Sequence, residues 1–178
     1  MHTKPITQTH TQASINLITI ILAIFALSAS AQLTIPLKPI PVTLQTAMVM
    51  IIGLSYTPSI AFSSIVGYIL LGSIGTPIFT NFDSGIAKIM GPSGGYMMGF
   101  IFAATSMSYL RKLYGDSLVK IFLYSTLGTI IIYLCGVTWL SYFIDFKIAI
   151  YEGCIKFIPS GVIKIGLVVA IMSYLRKK

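Results

Sequence analysis

Between two apolar runs the chain reads Gly91-Pro92-Ser93-Gly94-Gly95-Tyr96, in which glycine and proline fill four of six places. Residues of that kind punctuate backbone structure, so the stretch predicts a turn that opens directly into a helix. Glycine has no Cβ, and Gly94 and Gly95 therefore let backbone N–H groups come close to a partner, at a helix N-terminus that carries partial positive charge. An anionic or urea-like ligand would suit that place. Small residues serve equally for close packing of helices in a membrane, and the hexapeptide alone leaves both readings open.

The surrounding runs decide the fold class. Of 178 residues, 56% are hydrophobic and only 9% charged, with a mean hydropathy of +0.90. Soluble globular chains do not have that balance. A helix needs about 20 apolar residues to cross a bilayer, so about six crossings with short loops fill the length. The apolar runs are continuous and do not alternate with period two, which argues against a β-barrel. The expected fold is thus an all-α membrane protein, a bundle of six transmembrane helices spanning residues 14–178 behind a polar tail of residues 1–13. The bilayer of the cytoplasmic (inner) cell membrane is its solvent. The net charge of +8 sits in the short segments between apolar runs, where topology explains it better than nucleic acid does.

Little in the chain speaks for catalysis. Its histidines, His2 and His10, both stand in the N-terminal tail, and Cys135 and Cys154 have no metal-type spacing. No Cys/His pair, acidic cluster or Ser/His/Asp set occurs among the spans, so neither an enzyme nor a metal site is expected.

The first crossing covers about Ser14 to Ser30. A cleaved signal peptide would also place small residues such as Ala29-Ser30-Ala31 after an apolar run, but the basic region ahead of it is thin and further spans follow. Ala23, Ala26 and Ser30 recur at spacings of three and four, so they share a helix face that permits close approach of another helix, from this chain or from a partner. Pro36, Pro39 and Pro41 then forbid a regular helix, and a helix is expected to resume near Pro41 or Val42. Thr43, Gln45 and Thr46 would occupy its first turns, with polar groups at membrane depth that line a cavity or bond a neighbouring helix.

After a third span carrying Gly67, Gly72 and Gly75, the loop from Thr76 to Gly85 joins Phe79 and Phe82 to Asn81 and Asp83. Aromatic plates beside a few polar groups are what small-molecule pockets use, although an interfacial aromatic belt has the same composition. The fourth crossing is expected over about Ser93 to Leu110, the fifth over Ile121 to Ile144 and the sixth over Phe157 to Leu175, with residues 145–156 as a nearly neutral connection. Lys164 falls about 10 Å into the last span. A charge at that depth is expensive, so it should meet a ligand, water or the bundle interior unless its stem bends back to the headgroups.

Sorting the basic residues over six spans puts Lys4, Arg111, Lys112, Lys120, Arg176, Lys177 and Lys178 on one side, seven in all, against Lys38, Lys88, Lys147 and Lys156 on the other. The richer side is expected to be cytoplasmic, with both termini inside. All the suspected ligand features then face outward.

Four motifs in order carry a family resemblance: Pro41-Val42-Thr43-Leu44-Gln45-Thr46, Gly72-Ser73-Ile74-Gly75-Thr76-Pro77-Ile78-Phe79, the Gly91 to Tyr96 turn with Gly99-Phe100, and Phe157-Ile158-Pro159 followed by Lys164. Together they resemble the BioY family, the biotin-specific substrate-binding (S) components of energy-coupling factor transporters. The resemblance implies a six-helix bundle that binds biotin near its outer face. Thr43, Gln45, Phe79, Asn81, Asp83, Gly94, Gly95, Tyr96 and Lys164 are its expected contacts. Family members commonly place an acid three positions before the last-helix lysine, where this chain has Gly161, and Asp83 is an available substitute acceptor.

The family also implies a membrane-embedded coupling protein and two ATP-binding subunits as partners. This chain has no phosphate-binding loop and needs no cofactor of its own, since ATP would be hydrolysed by those subunits. Ala23, Ala26 and Ser30 resemble the small-residue face that docks on the coupling protein. An S component for another vitamin and a structural membrane subunit without substrate are the alternatives.

Overall fold

The helix that opens at Gly94 is the one against which most of the others pack. In the structure, a computed structural model describing residues 6–176 with side chains from residue 12 onward, eight α-helices follow one another. They are α1 (Ile6–Gln32), α2 (Gln45–Ser55), α3 (Pro58–Ser73), α4 (Ile86–Met90), α5 (Gly94–Tyr114), α6 (Leu118–Leu140), α7 (Phe146–Gly153) and α8 (Ile158–Arg176). Residues 1–5 of the expected tail and the terminal Lys177-Lys178 lie outside the described residues. Helix α1 begins at Ile6, ahead of the apolar run from which its start is expected.

Helices α5 and α6 form an antiparallel pair whose closeness depends on glycine. A methyl group at Gly95 would stand 2.2 Å from Trp139 Cβ and 2.5 Å from the Cys135 carbonyl oxygen; at Gly99 it would meet Ile132 Cα at 2.9 Å. From the other side, a methyl at Gly136 would enter the Tyr96 ring at 2.3 Å. At Gly95 and Gly99 the obstacles are backbone atoms and a Cβ, which no side-chain rotation moves aside. Helices α2 and α3 pack on the remaining faces of α5, α1 lies across α2 and α3, and α8 closes the bundle against α2 and α6.

The proline-rich segment does not lead straight into a helix. Thr34–Ile35 (β1) and Val42–Thr43 (β2) pair antiparallel, Thr34 opposite Thr43, and Leu44 N–H donates to the Leu33 carbonyl. Helix α2 therefore starts at Gln45, and Thr43 stands on a strand where a helical first turn is expected. The connection 145–156 is a second departure. Asp145 caps α7, its carboxylate accepting from the N–H groups of Lys147 and Ile148 at 2.9 and 3.4 Å. An acidic N-cap before an apolar run is a legible helix start, and it marks this one.

The loop after α3 folds back on the bundle. Gly85 N–H donates to the Gly72 carbonyl, and the Gln32 carboxamide clamps the turn by donating to the Phe79 carbonyl and accepting from Phe82 N–H, both at 3.0 Å.

Three helical stretches, Gln12–Gln32, Leu118–Leu140 and Phe146–Arg176, are long and apolar enough to cross a bilayer; α2 and α3 are apolar and shorter. Side chains such as Leu17, Leu22, Phe25, Phe122, Leu134 and Ile163 point outward and are more than half exposed. Apolar surface of that extent requires a lipid solvent or a partner.

Candidate functional site

The N-terminal ends of α2, α5 and α8 converge at one end of the bundle, and a cavity lies among them. Its floor is polar. Gln45 and Thr46 contribute from the first turn of α2, and Lys164 from the second turn of α8. Ile40, Pro41, Val42 and Thr43 of the hairpin cover one side, and Tyr96, Met97 and Phe100 of α5 form another. Tyr133, Phe157 and Ser160 complete the wall, while Thr80, Lys88 and Ser93 stand along it from the loop side.

Lys164 is 9% exposed, and its ammonium donates to the Thr46 hydroxyl at 2.9 Å. Among the described residues no carboxylate lies within ion-pair distance of it. A lysine has three N–H donors, so a neutral hydroxyl leaves donor capacity facing the cavity. The Gln45 side chain is occupied by the protein. Its amide donates to the Tyr68 hydroxyl at 2.8 Å, its oxygen accepts from the Thr43 and Thr80 hydroxyls at 3.3 and 3.4 Å, and the Tyr68 hydroxyl in turn donates to the Ile78 carbonyl. The buried network ties the hairpin, α2, α3 and the loop after α3 into one rim.

Two tyrosines fix the opposite wall. The Tyr96 hydroxyl donates to the Gly153 carbonyl at 2.7 Å, and Tyr133 donates to that of Phe157 at 3.0 Å. The Phe157 ring sits about equally far from both, at 6.1 and 6.2 Å between centroids. This aromatic cup presents apolar faces to the cavity while its polar tips are satisfied behind them.

Of the residues expected from sequence, Thr43, Gln45, Tyr96 and Lys164 meet in this cavity. The others do not line it. Phe79 is fully buried outside it, edge-on to Tyr68 at 5.4 Å and against Gly72. Asn81 is an exposed turn residue with φ 62°. Asp83 is exposed and bonds Lys88 at 2.9 Å; that ammonium, helped by the Ser84 N–H, holds its carboxyl below the usual carboxylate range. Gly94 and Gly95 serve packing, against Ile89 and against Trp139 and Cys135. Ala23 and Ser30 are buried inside the bundle, and Ala26 is half-buried.

The cavity also contains residues that the sequence reading does not assign to a site. Tyr133 gave one signal, a polar-tipped aromatic in the middle of an apolar span. Lys88 gave little, because a lysine beside a loop reads as surface charge until the loop is seen to fold back.

The model of the BioY family matches residues 2–178. The chain belongs to the BioY family. Among its relatives, the probable biotin transporter BioY of Rickettsia prowazekii is 36% identical over 162 residues, which is 91% of this chain and 84% of that protein. That of Pyrococcus horikoshii is 37% identical over 149 residues, 84% of this chain and 88% of that protein. The fold of this BioY chain matches the crystal structure of the S-component for biotin from an ECF-type ABC transporter. The TM-score is 0.80 at 26% identity, over 99% of this chain and 96% of that one. Each of these relatives is named as a transporter or a part of one.

Proposed function

We propose that this BioY protein is a biotin uptake subunit. It captures biotin in the cavity at the outer face of the cytoplasmic membrane and delivers it inward with a coupling protein and two ATP-binding subunits. The observation that carries the reading is the cavity itself, where the unfilled donors of Lys164 lie beside the aromatic cup of Tyr96, Tyr133 and Phe157. Biotin has the matching shape, a polar ureido ring and a carboxylate joined by an apolar chain. The named relatives and the matched structure support the same ligand.

Six segments cross the bilayer and both termini are cytoplasmic. Supporting this, Asp116 bonds Arg111 at 3.5 Å and Arg176 at 3.8 Å, which gathers basic residues at the end of α5 and α8 remote from the cavity. Basic residues favour the cytoplasmic side. Docking on the coupling protein falls to α1, where, of Ala23, Ala26 and Ser30, Ala26 is the one not wholly taken up by the bundle.

The test is direct binding of labelled biotin, thiamin and riboflavin to purified protein in detergent. Biotin alone should bind and saturate at one site. Binding of another vitamin in its place would overturn the assignment.

A further inference from the structure

Two lysines line the cavity, and they differ in their surroundings. Lys164 is enclosed, with the Thr46 hydroxyl as its partner. Lys88, on the short helix α4, has a side chain 28% exposed and is held at 2.9 Å by Asp83, which stands outside the cavity. A carboxylate brought to Lys164 would surrender its water almost completely, a cost that a single ammonium offsets poorly. At Lys88 the same carboxylate would keep part of its hydration. Lys88 already reaches a carboxylate in this geometry, and its three donors allow a second acceptor beside Asp83.

We infer that Lys88 recognises the carboxylate of the ligand at the rim of the cavity, with Asp83 as the positioning residue that holds it there. This rests on the biotin reading and extends it to the direction in which the ligand lies. The carboxylate faces the loop, and the ligand's neutral polar end reaches Lys164 and Thr46.

The experiment compares biotin with biotinamide, the same molecule with its charge removed, by calorimetry on the wild type, Lys88→Met, Lys88→Arg and Lys164→Met. The wild type should prefer biotin by about tenfold, the lower end of what a charge-assisted hydrogen bond supplies. Lys88→Met should abolish that preference by weakening biotin alone, and its retained hold on biotinamide shows that it is folded. Lys88→Arg should keep the preference. Lys164→Met should weaken both ligands by the same factor. A wild type without preference, a Lys88→Met variant that retains it or loses both ligands equally, or a preference abolished by Lys164→Met would overturn the assignment. A wild type that binds neither ligand would instead refute the biotin reading, and Lys88's role with it.

Discussion

The hydroxyl of Tyr133 lies 2.7 Å from the point where a Cβ on Gly161 would stand. Here α6 and α8 meet at the cavity wall, and the absence of a side chain at 161 is what lets Tyr133 donate to the Phe157 carbonyl. An alanine at this position should displace the hydroxyl. In the Tyr133→Phe background the obstacle is gone, and Gly161→Ala should then raise stability by up to about 1 kcal/mol, the helix preference of alanine over glycine. In the wild-type background the same substitution should be neutral or destabilising. Thermal unfolding of the four proteins in detergent reads the difference, and additive effects would show that the two residues do not interact.

Gly95→Ala should be severely destabilising, because its methyl meets Trp139 Cβ and the Cys135 carbonyl, neither of which can rotate away. Overpacking of this kind costs about 1–3 kcal/mol or more. Gly166→Ala is the matched control on α8, since nothing lies within 4 Å of its added methyl. It should be neutral or mildly stabilising. Equal melting temperatures for the two variants would contradict the packing described for α5 and α6.

These positions separate what the sequence made legible from what it did not. The apolar helices, the turn before α5 and the place of Lys164 two turns into the last helix follow from hydropathy and glycine placement, which are local. The role of Gly94 and Gly95 is different, because ligand approach and helix approach ask the same thing of a residue and only the position of α6 decides between them. Phe79 shows the same ambiguity. An aromatic next to polar loop residues has the composition of a pocket wall, yet the space beside Gly72 takes its ring into the core. Tyr133 and Lys88 reach the cavity through contacts 24 residues away at Phe157 and through a loop that folds back, and no spacing rule in the chain encodes either.

Topology is open to chemical labelling. In a cysteine-free background, single cysteines replacing Asn81 and Glu152 should react with an impermeant reagent from outside the cell, and one replacing Tyr114 should be spared. Reaction at 114 alone would invert the orientation drawn from the basic residues.

Docking can be separated from binding on α1. Replacing half-buried Ala26 with leucine should impair biotin uptake by cells while the isolated protein still binds biotin, because a bulky side chain there holds a partner helix away. Ala23→Leu is the contrast. Ala23 is 3% exposed within the bundle, so that variant should lose stability as well. Loss of binding by isolated Ala26→Leu would show that this position packs internally.

Lys164 is the costliest residue of the cavity, a cation 9% exposed whose protein partner is a hydroxyl. A ligand acceptor completing its donor set would contribute about 1.5–3 kcal/mol, or roughly ten- to a hundredfold in affinity. Lys164→Met keeps the length of the side chain and removes the charge. Binding of biotin should therefore weaken by that factor, while the empty bundle stays folded and gains stability if burying the ammonium was a net cost. Asp83→Asn should do less, since Asp83 stands outside the cavity and acts through Lys88. Calorimetry on the two variants ranks them. If Asp83→Asn proves the more damaging, the main polar contact lies at the loop and not at the floor, and Lys164 serves the packing of α8 against α2.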